Sequence, residues 1–260
     1  KTITMKFEEF KNTFPVLTEN EKNQYLINND IYFNTFKDFA FHVSSGNVET
    51  PLTLPLEQAY DLSLHMKGII LSSNQKMRQA ILSSDNQELI AKYKEWQTLQ
   101  EKISLISQLS IEEKEKQGVS LDSLQAKEEK LQHYLGIQSE EFKKAFDTPP
   151  PHWHDIQATL KPNECAVEML KFKHDHHIIY GALIITKTSN HPFPVVFENG
   201  DNMEKRNYFY YKNCIVYKRE DKYSYDAYIK ELLSTISNIS TDINTVYFSP
   251  EGVYSQININ

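Results

Sequence analysis

The chain has 260 residues, of which 40% are hydrophobic and 24% charged, so it has the balance of a globular protein and not of a disordered chain. Its net charge of −7 and dispersed lysines and arginines argue against a nucleic-acid partner, and its seven glycines form no GxGxxG or GxxxxGKS/T nucleotide motif. No apolar run approaches the roughly 20 residues of a membrane span, the start has no apolar signal block, and two cysteines imply no disulfide framework. We therefore expect a cytoplasmic protein that binds neither nucleic acid nor membrane.

Helical patterns run through the first half of the chain. Thr18 and Glu21 stand in the register of a capping box, which predicts a helix from Glu19. A second helix is predicted over residues 30–41, because aromatic side chains recur there at about three-residue spacing. After a loop at residues 43–53, one long helix is predicted from Pro55, loosened near Gly68.

A pair of helices is predicted between residues 86 and 146. Asp85 and Glu88 form a second capping pair, Gly118 interrupts the apolar pattern, and Ser120 caps the partner helix. Because apolar positions recur at spacings near three and four on both sides of Gly118, and on to Phe142 and Phe146, we expect a long antiparallel helical hairpin. The charged clusters at 112–116 and 127–130 are typical of a solvated helix face.

Three consecutive prolines end the segment 147–151 and mark a domain boundary, beyond which the residues favour strands. Strands are predicted over residues 165–172, 178–186, 194–197 and 208–217. The first two form a hairpin, and residues 199–201 form a turn after the third. A helix over 225–239 leads to a last buried strand from Ile243, which ends at the turn residues 249–252 and is followed by an apolar strand region at 253–259.

This order predicts a mainly helical region over residues 1–148 and an α/β region over 149–260. In open α/β sheets the reacting groups usually lie on the loops beyond the strand ends. The turn after the last strand is therefore the place where a site is expected.

Two histidine clusters are candidates for chemistry. His174, His176 and His177 could bind a metal, but strand alternation separates them and no further ligand stands nearby, so a solvated hairpin tip is the preferred interpretation. His152 and His154 flank Trp153, yet no second group is identifiable that would orient either as a general base. We interpret Trp153 as an apolar anchor.

Neither cysteine fits the requirements of a nucleophile, which are exposure and a nearby cation or helix N-terminus. Cys165 begins a strand beside the Glu164 carboxylate, and Cys214 lies within a predicted strand. Both are interpreted as small buried residues. The sequence therefore assigns no catalytic, cofactor-binding or metal-binding residue and no cofactor.

Separated phrases across nearly the whole chain carry a family resemblance. They are FPVLTENEK at 14–22, AYDL at 59–62, KGIIL at 67–71, WQTL at 96–99, WHDI at 153–156, LKP at 160–162, AVE at 166–168, YGALII at 180–185 and YFSPEG at 247–252. In this order the phrases resemble the N-terminal portion of the CHAT family, the caspase-like and separase-like domains that follow TPR repeats in bacterial proteins.

The resemblance implies a cysteine endopeptidase that acts on a protein or peptide substrate. In the family the catalytic His stands in a His-Gly pair after the next strand, and the Cys follows a further strand; neither motif occurs here, so no catalytic residue is carried over. An expressed fragment, a processed N-terminal piece and a truncated scaffold are the three interpretations of that absence. We expect an incomplete caspase-like sheet that the remaining C-terminal part of the domain completes, and the alternative is a non-catalytic protein-interaction scaffold.

Overall fold

A computed structural model describes residues 17–45, 53–107, 120–138 and 151–259, together with positions 5, 9, 10, 13, 14 and 109. The chain divides into two compact units, one comprising residues 1–30 and 68–149 and the other residues 31–67 and 150–260. The second unit thus contains parts of the first two long helices as well as the sheet. None of the helices in the described ranges is long and apolar enough to cross a bilayer.

Four long helices precede the sheet. They are α1 (Glu19–Ser45), α2 (Leu54–Ser83), α3 (Gln87–Ser107) and α4 (Leu121–Gln138). The capping box that begins α1 is confirmed, because the Thr18 amide donates to Glu21 Oε2 at 2.8 Å and the Glu21 amide to Thr18 Oγ1 at 3.3 Å. The two predicted helices around Asp30 are instead one continuous helix, α1, and α2 is also continuous through Gly68.

Helices α3 and α4 pack against each other through a small apolar cluster. Asn86, and not the predicted Asp85, caps α3 by accepting the Leu89 amide at 3.0 Å, whereas Ser120 caps α4 as predicted. The cluster is built by buried side chains of α3 and α4 with two from the end of α2: Ala80, Ile81, Leu89, Tyr93, Trp96, Leu131 and Leu135. Gly118, Phe142, Phe146 and the charged cluster at 112–116 lie outside the described residues.

The second half is a four-stranded mixed sheet with helices. Its strands are β1 (Glu164–His174), β2 (His177–Thr186), β3 (Phe193–Phe197) and β4 (Thr245–Ser249), in the spatial order β3-β2-β1-β4. The predicted β1–β2 hairpin is confirmed, with Asp175 and His176 at positive φ in its two-residue turn. β3 pairs antiparallel with β2, whereas β4 lies parallel to β1.

Seven helical segments complete this half. Short helix α5 (Trp153–Thr159) precedes β1, and α6 (residues 200–216) comprises Gly200–Asn202, a π-helical turn Met203–Asn207 and Tyr208–Val216. The later segments are α7 (Ser224–Tyr228), α8 (Lys230–Ile239) and a 3-10 turn, Gly252–Ser255. The helix predicted over 225–239 is thus present as α7 and α8.

Four predictions for this half differ from the structure. Residues 208–216 are helical and not a strand, and Cys214 is the only one of them that is buried, so their aromatic and β-branched side chains are not used to pack a strand into the sheet. Of the turn predicted at residues 199–201, Asn199 is in a turn as expected, whereas Gly200 and Asp201 begin that helix. β4 is largely exposed, with Val246 37% and Tyr247 53% exposed, and residues 253–259 contain a 3-10 turn whose Val253 and Tyr254 fill the core.

Strand alternation gives the sheet two apolar faces. Cys165, Val167 and Met169 of β1 belong to a cluster with Tyr228, Leu232 and Ile236 of α7 and α8. Alternate residues Ala166, Leu170 and Phe172 belong to a second cluster with Phe41, Tyr60 and Trp153. On that second face a Cβ at Gly181 would collide with the Phe41 ring, so only glycine allows this helix to approach β2 so closely.

Candidate functional site

A polar cluster contacts the carboxyl end of β4. We call it the β4-end cluster and define it as the buried Ser63 and Glu168 with the partly exposed Lys67 and Ser249. Glu168 is 1% exposed and lies opposite Ser249 in the β1–β4 register. Its Oε1 accepts the Ser63 hydroxyl at 2.7 Å and lies 2.6 Å from Lys67 Nζ. The buried carboxylate is therefore both paired and hydrogen-bonded, which is the condition for burying a charge.

Lys67 connects the two parallel strands at this point. Its ammonium donates to the Met169 carbonyl at 2.7 Å, and it lies 3.3 Å from both the carbonyl oxygen and Oγ of Ser249. One α2 side chain thus contacts β1 and the last residue of β4. Beside it, burial and then the Glu168 charge raise the pKa of Tyr60 far above its ordinary value, so its hydroxyl stays protonated.

The loop that follows β4 is fixed by a second set of charges. Lys37 Nζ donates to Glu251 Oε1 at 3.0 Å and to the Lys171 carbonyl at 3.2 Å. Gly252 adopts φ +59, where a side chain would also collide with the Tyr180 hydroxyl, so glycine is required at this turn. The predicted turn is therefore present and is held from two sides.

Tyr180 anchors the same loop from the other face of the sheet. Its hydroxyl accepts the Val253 amide at 2.7 Å and is hydrogen-bonded to Glu204, which pairs with Lys171 Nζ at 2.7 Å. Burial acts to raise the pKa of Glu204, but the hydrogen bonds from Lys171 and Tyr180 outweigh it and hold that pKa below its usual range. The site therefore presents a rigid strand end bordered by three lysine–carboxylate pairs: Lys67–Glu168, Lys37–Glu251 and Lys171–Glu204.

Neither cysteine lies at this strand end. Cys165 pairs with Val246 near the beginning of β4 and is fully buried, and burial raises the pKa of its thiol to about 11. The neighbouring Glu164 carboxylate accepts the Lys161 amide at 2.9 Å. Cys214 is buried in α6, so neither thiol is available as a nucleophile in the described structure.

His152, which precedes Trp153, is oriented by a carboxylate that the sequence did not identify. His152 Nδ1 lies 2.8 Å from Asp61 Oδ2, while Asp61 Oδ1 accepts the Trp153 amide at 2.6 Å. The hydrogen bond with Asp61 raises the pKa of His152 above its ordinary value. Trp153 is 2% exposed, and Asp61 caps α5, so the Asp61–His152 pair fixes the orientation of this helix. Among the described residues, no nucleophilic side chain contacts His152.

The histidines of the β1–β2 tip are held separately. His174 Nδ1 lies 2.9 Å from Asp38 Oδ1, His177 Nδ1 lies 3.0 Å from Asp201 Oδ2, and His176 occupies the turn at φ 69. The hydrogen bond with His177 is the main cause of a lowered pKa at Asp201. Within the described ranges, no group of three or more His, Cys, Asp or Glu side chains is arranged to hold a metal ion.

Comparison with known protein families, curated proteins and solved structures finds no match to this chain. The β4-end cluster was not found from the sequence, since Ser63 and Lys67 of α2 contact residues far along the chain: Ser63 is separated from Glu168 by 105 residues and Lys67 from Ser249 by 182. The sequence did predict the turn at residues 249–252. Lys67 and Glu168 of the β4-end cluster are marked in the sequence only because they lie in the phrases KGIIL and AVE of the family resemblance.

Proposed function

We propose that the chain is the N-terminal part of a CHAT-type cysteine endopeptidase, whose catalytic His and Cys lie beyond residue 260. This part supplies the scaffold and a portion of the substrate cleft. The observation that carries the proposal is the position of β4 at one end of a mixed sheet, parallel to β1 and largely exposed.

The exposed edge supports the proposal because an unpaired strand edge is a template for another strand. Val246 and Tyr247 project to opposite faces of the sheet and are both partly uncovered. In this proposal the remaining part of the domain adds its strands beside β4 and covers both side chains. The added strands complete a caspase-like sheet.

The β4-end cluster supports the proposed location of the cleft. Reacting groups of open sheets lie beyond the carboxyl ends of parallel strands, and the structure fixes that end of β4 by Lys67 and the following loop by Lys37 and Tyr180. In the proposed enzyme the downstream His activates the downstream Cys thiolate for attack on a peptide carbonyl. This chain positions the substrate beside them.

The coding sequence downstream of Asn260 is the first test, since a His-Gly pair followed by a later Cys is expected. The second test mixes residues 1–260 with that downstream segment as separate polypeptides and measures the complex by size exclusion. Val246→Asp and Tyr247→Asp are expected to weaken assembly at least tenfold, whereas Leu105→Asp, at an exposed position in α3, is the matched control.

Cleavage of a peptide library by the complex is expected to be sensitive to thiol alkylation. It should remain so when Cys165 and Cys214 are both replaced by alanine, because neither thiol is proposed to react. A cooperatively unfolding monomer of residues 1–260 whose outer β4 amides are already protected from hydrogen exchange contradicts the proposal.

The second candidate function is a non-catalytic interaction scaffold, in which α3 and α4 form the antiparallel hairpin that docks a protein. It is favoured by Leu105, 68% exposed, and Tyr134, 36% exposed, on a helix pair that already has its own core. A stop codon after Asn260, together with partner binding that Leu105→Asp abolishes and Val246→Asp does not, would establish the scaffold instead.

A further inference from the structure

Helix α6 gathers positive charge in an acidic protein. The chain has a formal net charge of −7, yet residues 205–219 contain five cations and no acid. They are Lys205, Arg206, Lys212, Lys218 and Arg219. All five side chains are exposed, and within the described residues none forms an ion pair with a carboxylate. We call this segment the α6 basic face.

Large apolar side chains are exposed among these cations. Phe209 is 67% exposed, Ile215 59%, Val216 60% and Tyr217 64%. Phe209, Lys212 and Val216 follow one another at spacings of three and four, so they share one side of the helix. A cluster of this kind is uncommon on a protein surface that has no binding role.

The end of α6 projects from the fold. Residues 215–223 are nine consecutive exposed positions. Lys218 adopts φ 51 and ends the helix, and the Arg219 amide donates to the Cys214 carbonyl at 2.8 Å, which fixes the reversal of the chain. The projection therefore has a defined shape, with apolar residues 215–217 next to two cations.

The two acids of the projection are engaged within it. Glu220 Oε2 lies 3.5 Å from Lys222 Nζ. Asp221 Oδ1 accepts the amides of Tyr223 and Ser224, and although burial acts to raise its pKa, these hydrogen bonds lower it. Residues 205–223 thus contain six cations and these two acids, which gives the segment a formal net charge of +4.

We propose that the α6 basic face docks on an anionic lipid bilayer, with Phe209 and residues 215–217 entering the headgroup region. Cations beside exposed aromatic and aliphatic side chains are what such an interface requires. Single-stranded nucleic acid is bound by aromatic side chains on which bases stack, whereas the exposed Ile215 and Val216 offer no stacking surface for bases. The inference is independent of the peptidase proposal and revises the expectation that the protein has no membrane partner.

Vesicle co-sedimentation of the full chain tests the proposal. Binding is expected to vesicles that contain phosphatidylserine, to fall with added salt, and to be absent with phosphatidylcholine alone. Lys212→Glu with Arg219→Glu is expected to weaken binding at least about 25-fold, because each near-surface cation contributes about fivefold. Ile215→Ser with Val216→Ser should weaken it about tenfold while leaving the charge unchanged.

The matched control is Lys173→Glu with Lys187→Glu, which changes the net charge equally at two exposed positions outside the α6 basic face. It should bind as the original chain does. Equal weakening by this control, or no effect of the serine pair, overturns the proposal in favour of non-specific charge attraction. Binding of a single-stranded oligonucleotide without vesicle binding also overturns it.

Discussion

The four-stranded sheet and the α3–α4 pair are stabilised in different ways. The sheet has an apolar cluster on each face, so the side chains of β1 and β2 alternate between two cores. The α3–α4 pair shares one cluster of seven buried side chains. The central strands of the sheet are consequently packed against other elements on both faces.

The sheet and the α3–α4 pair also differ in their polar contacts. In the sheet unit Glu168 is buried and fully paired, and Thr186 and Ser189 are buried and bonded to each other at 2.9 Å. In the α3–α4 pair Gln132 is buried, Trp96 Nε1 donates to Glu128 at 2.5 Å, and the exposed Lys127 lies 3.1 Å from Glu95. We therefore expect a substitution in the sheet to lower the free energy of unfolding more than a comparable substitution in the α3–α4 pair, where neighbouring side chains can move into the space.

The largest expected effect comes from truncating one buried leucine in each region. Leu183 of β2 and Leu135 of α4 are both 0% exposed. Leu183→Ala is expected to cost about 4–5 kcal/mol and Leu135→Ala about 2–3 kcal/mol, because a cavity costs more where the surroundings cannot collapse. Urea unfolding measures the change in the free energy of unfolding for each variant, and hydrogen exchange of β2 and α4 peptides shows where each change acts. Equal changes in the two variants would contradict the proposed difference between the sheet and the helix pair.

Breaking the Lys67–Glu168 pair is expected to have the next largest effect. Lys67→Met leaves the Glu168 carboxylate buried without its cation, which typically costs about 3–5 kcal/mol, reduced here toward about 3 kcal/mol since Lys67 is partly exposed. The double variant Lys67→Met with Glu168→Gln should recover at least half of the loss. No recovery in chemical denaturation would show that Lys67 acts through its packing and its bonds to Ser249, and not through charge.

A smaller effect is expected for the hydrogen bond between Trp96 and Glu128 in the helix pair. Trp96→Phe keeps most of the apolar contact but removes the donor to Glu128, so it should cost about 1 kcal/mol. A double-mutant cycle with Glu128→Ala, which removes the acceptor, isolates the pair, and the coupling should be close to the cost of Trp96→Phe alone. Fully additive single effects would mean that this hydrogen bond does not stabilise α3 against α4.

Local patterns in the sequence predicted the elements whose causes are local. The Thr18 capping box, the β1–β2 hairpin and the 249–252 turn all depend on residues within a few positions of one another, and all are present. Residues 208–217 were predicted as a strand, because Tyr, Phe, Ile and Val favour strands until packing decides otherwise. Because a strand was expected there, the sequence did not predict that the cations and apolar residues of the α6 basic face share one exposed side of a helix.

The candidate site was predicted only in its location. In α/β sheets, sites usually lie at the turns that follow the strands, so the turn after the last strand could be predicted. Lys67, Lys37 and Tyr180 contact the end of β4 and that turn from distant parts of the chain, so they could not. The partner of His152 was missed for the same reason, since Asp61 lies 91 residues away. No pattern in a single sequence reports such contacts.

The smallest expected effect is the pH dependence that the Asp61–His152 pair gives to the sheet unit. The hydrogen bond with Asp61 raises the pKa of His152 in the folded chain, so its stabilisation is complete below the unfolded pKa of about 6.5 and is lost as pH rises through the folded value. Because His152 is 61% exposed, the contribution should be only about 0.5 kcal/mol. NMR titration of the imidazole measures the shift directly. In Asp61→Asn the pKa should return toward its ordinary value, and an unchanged titration would mean that Asp61 stabilises α5 through the Trp153 amide alone.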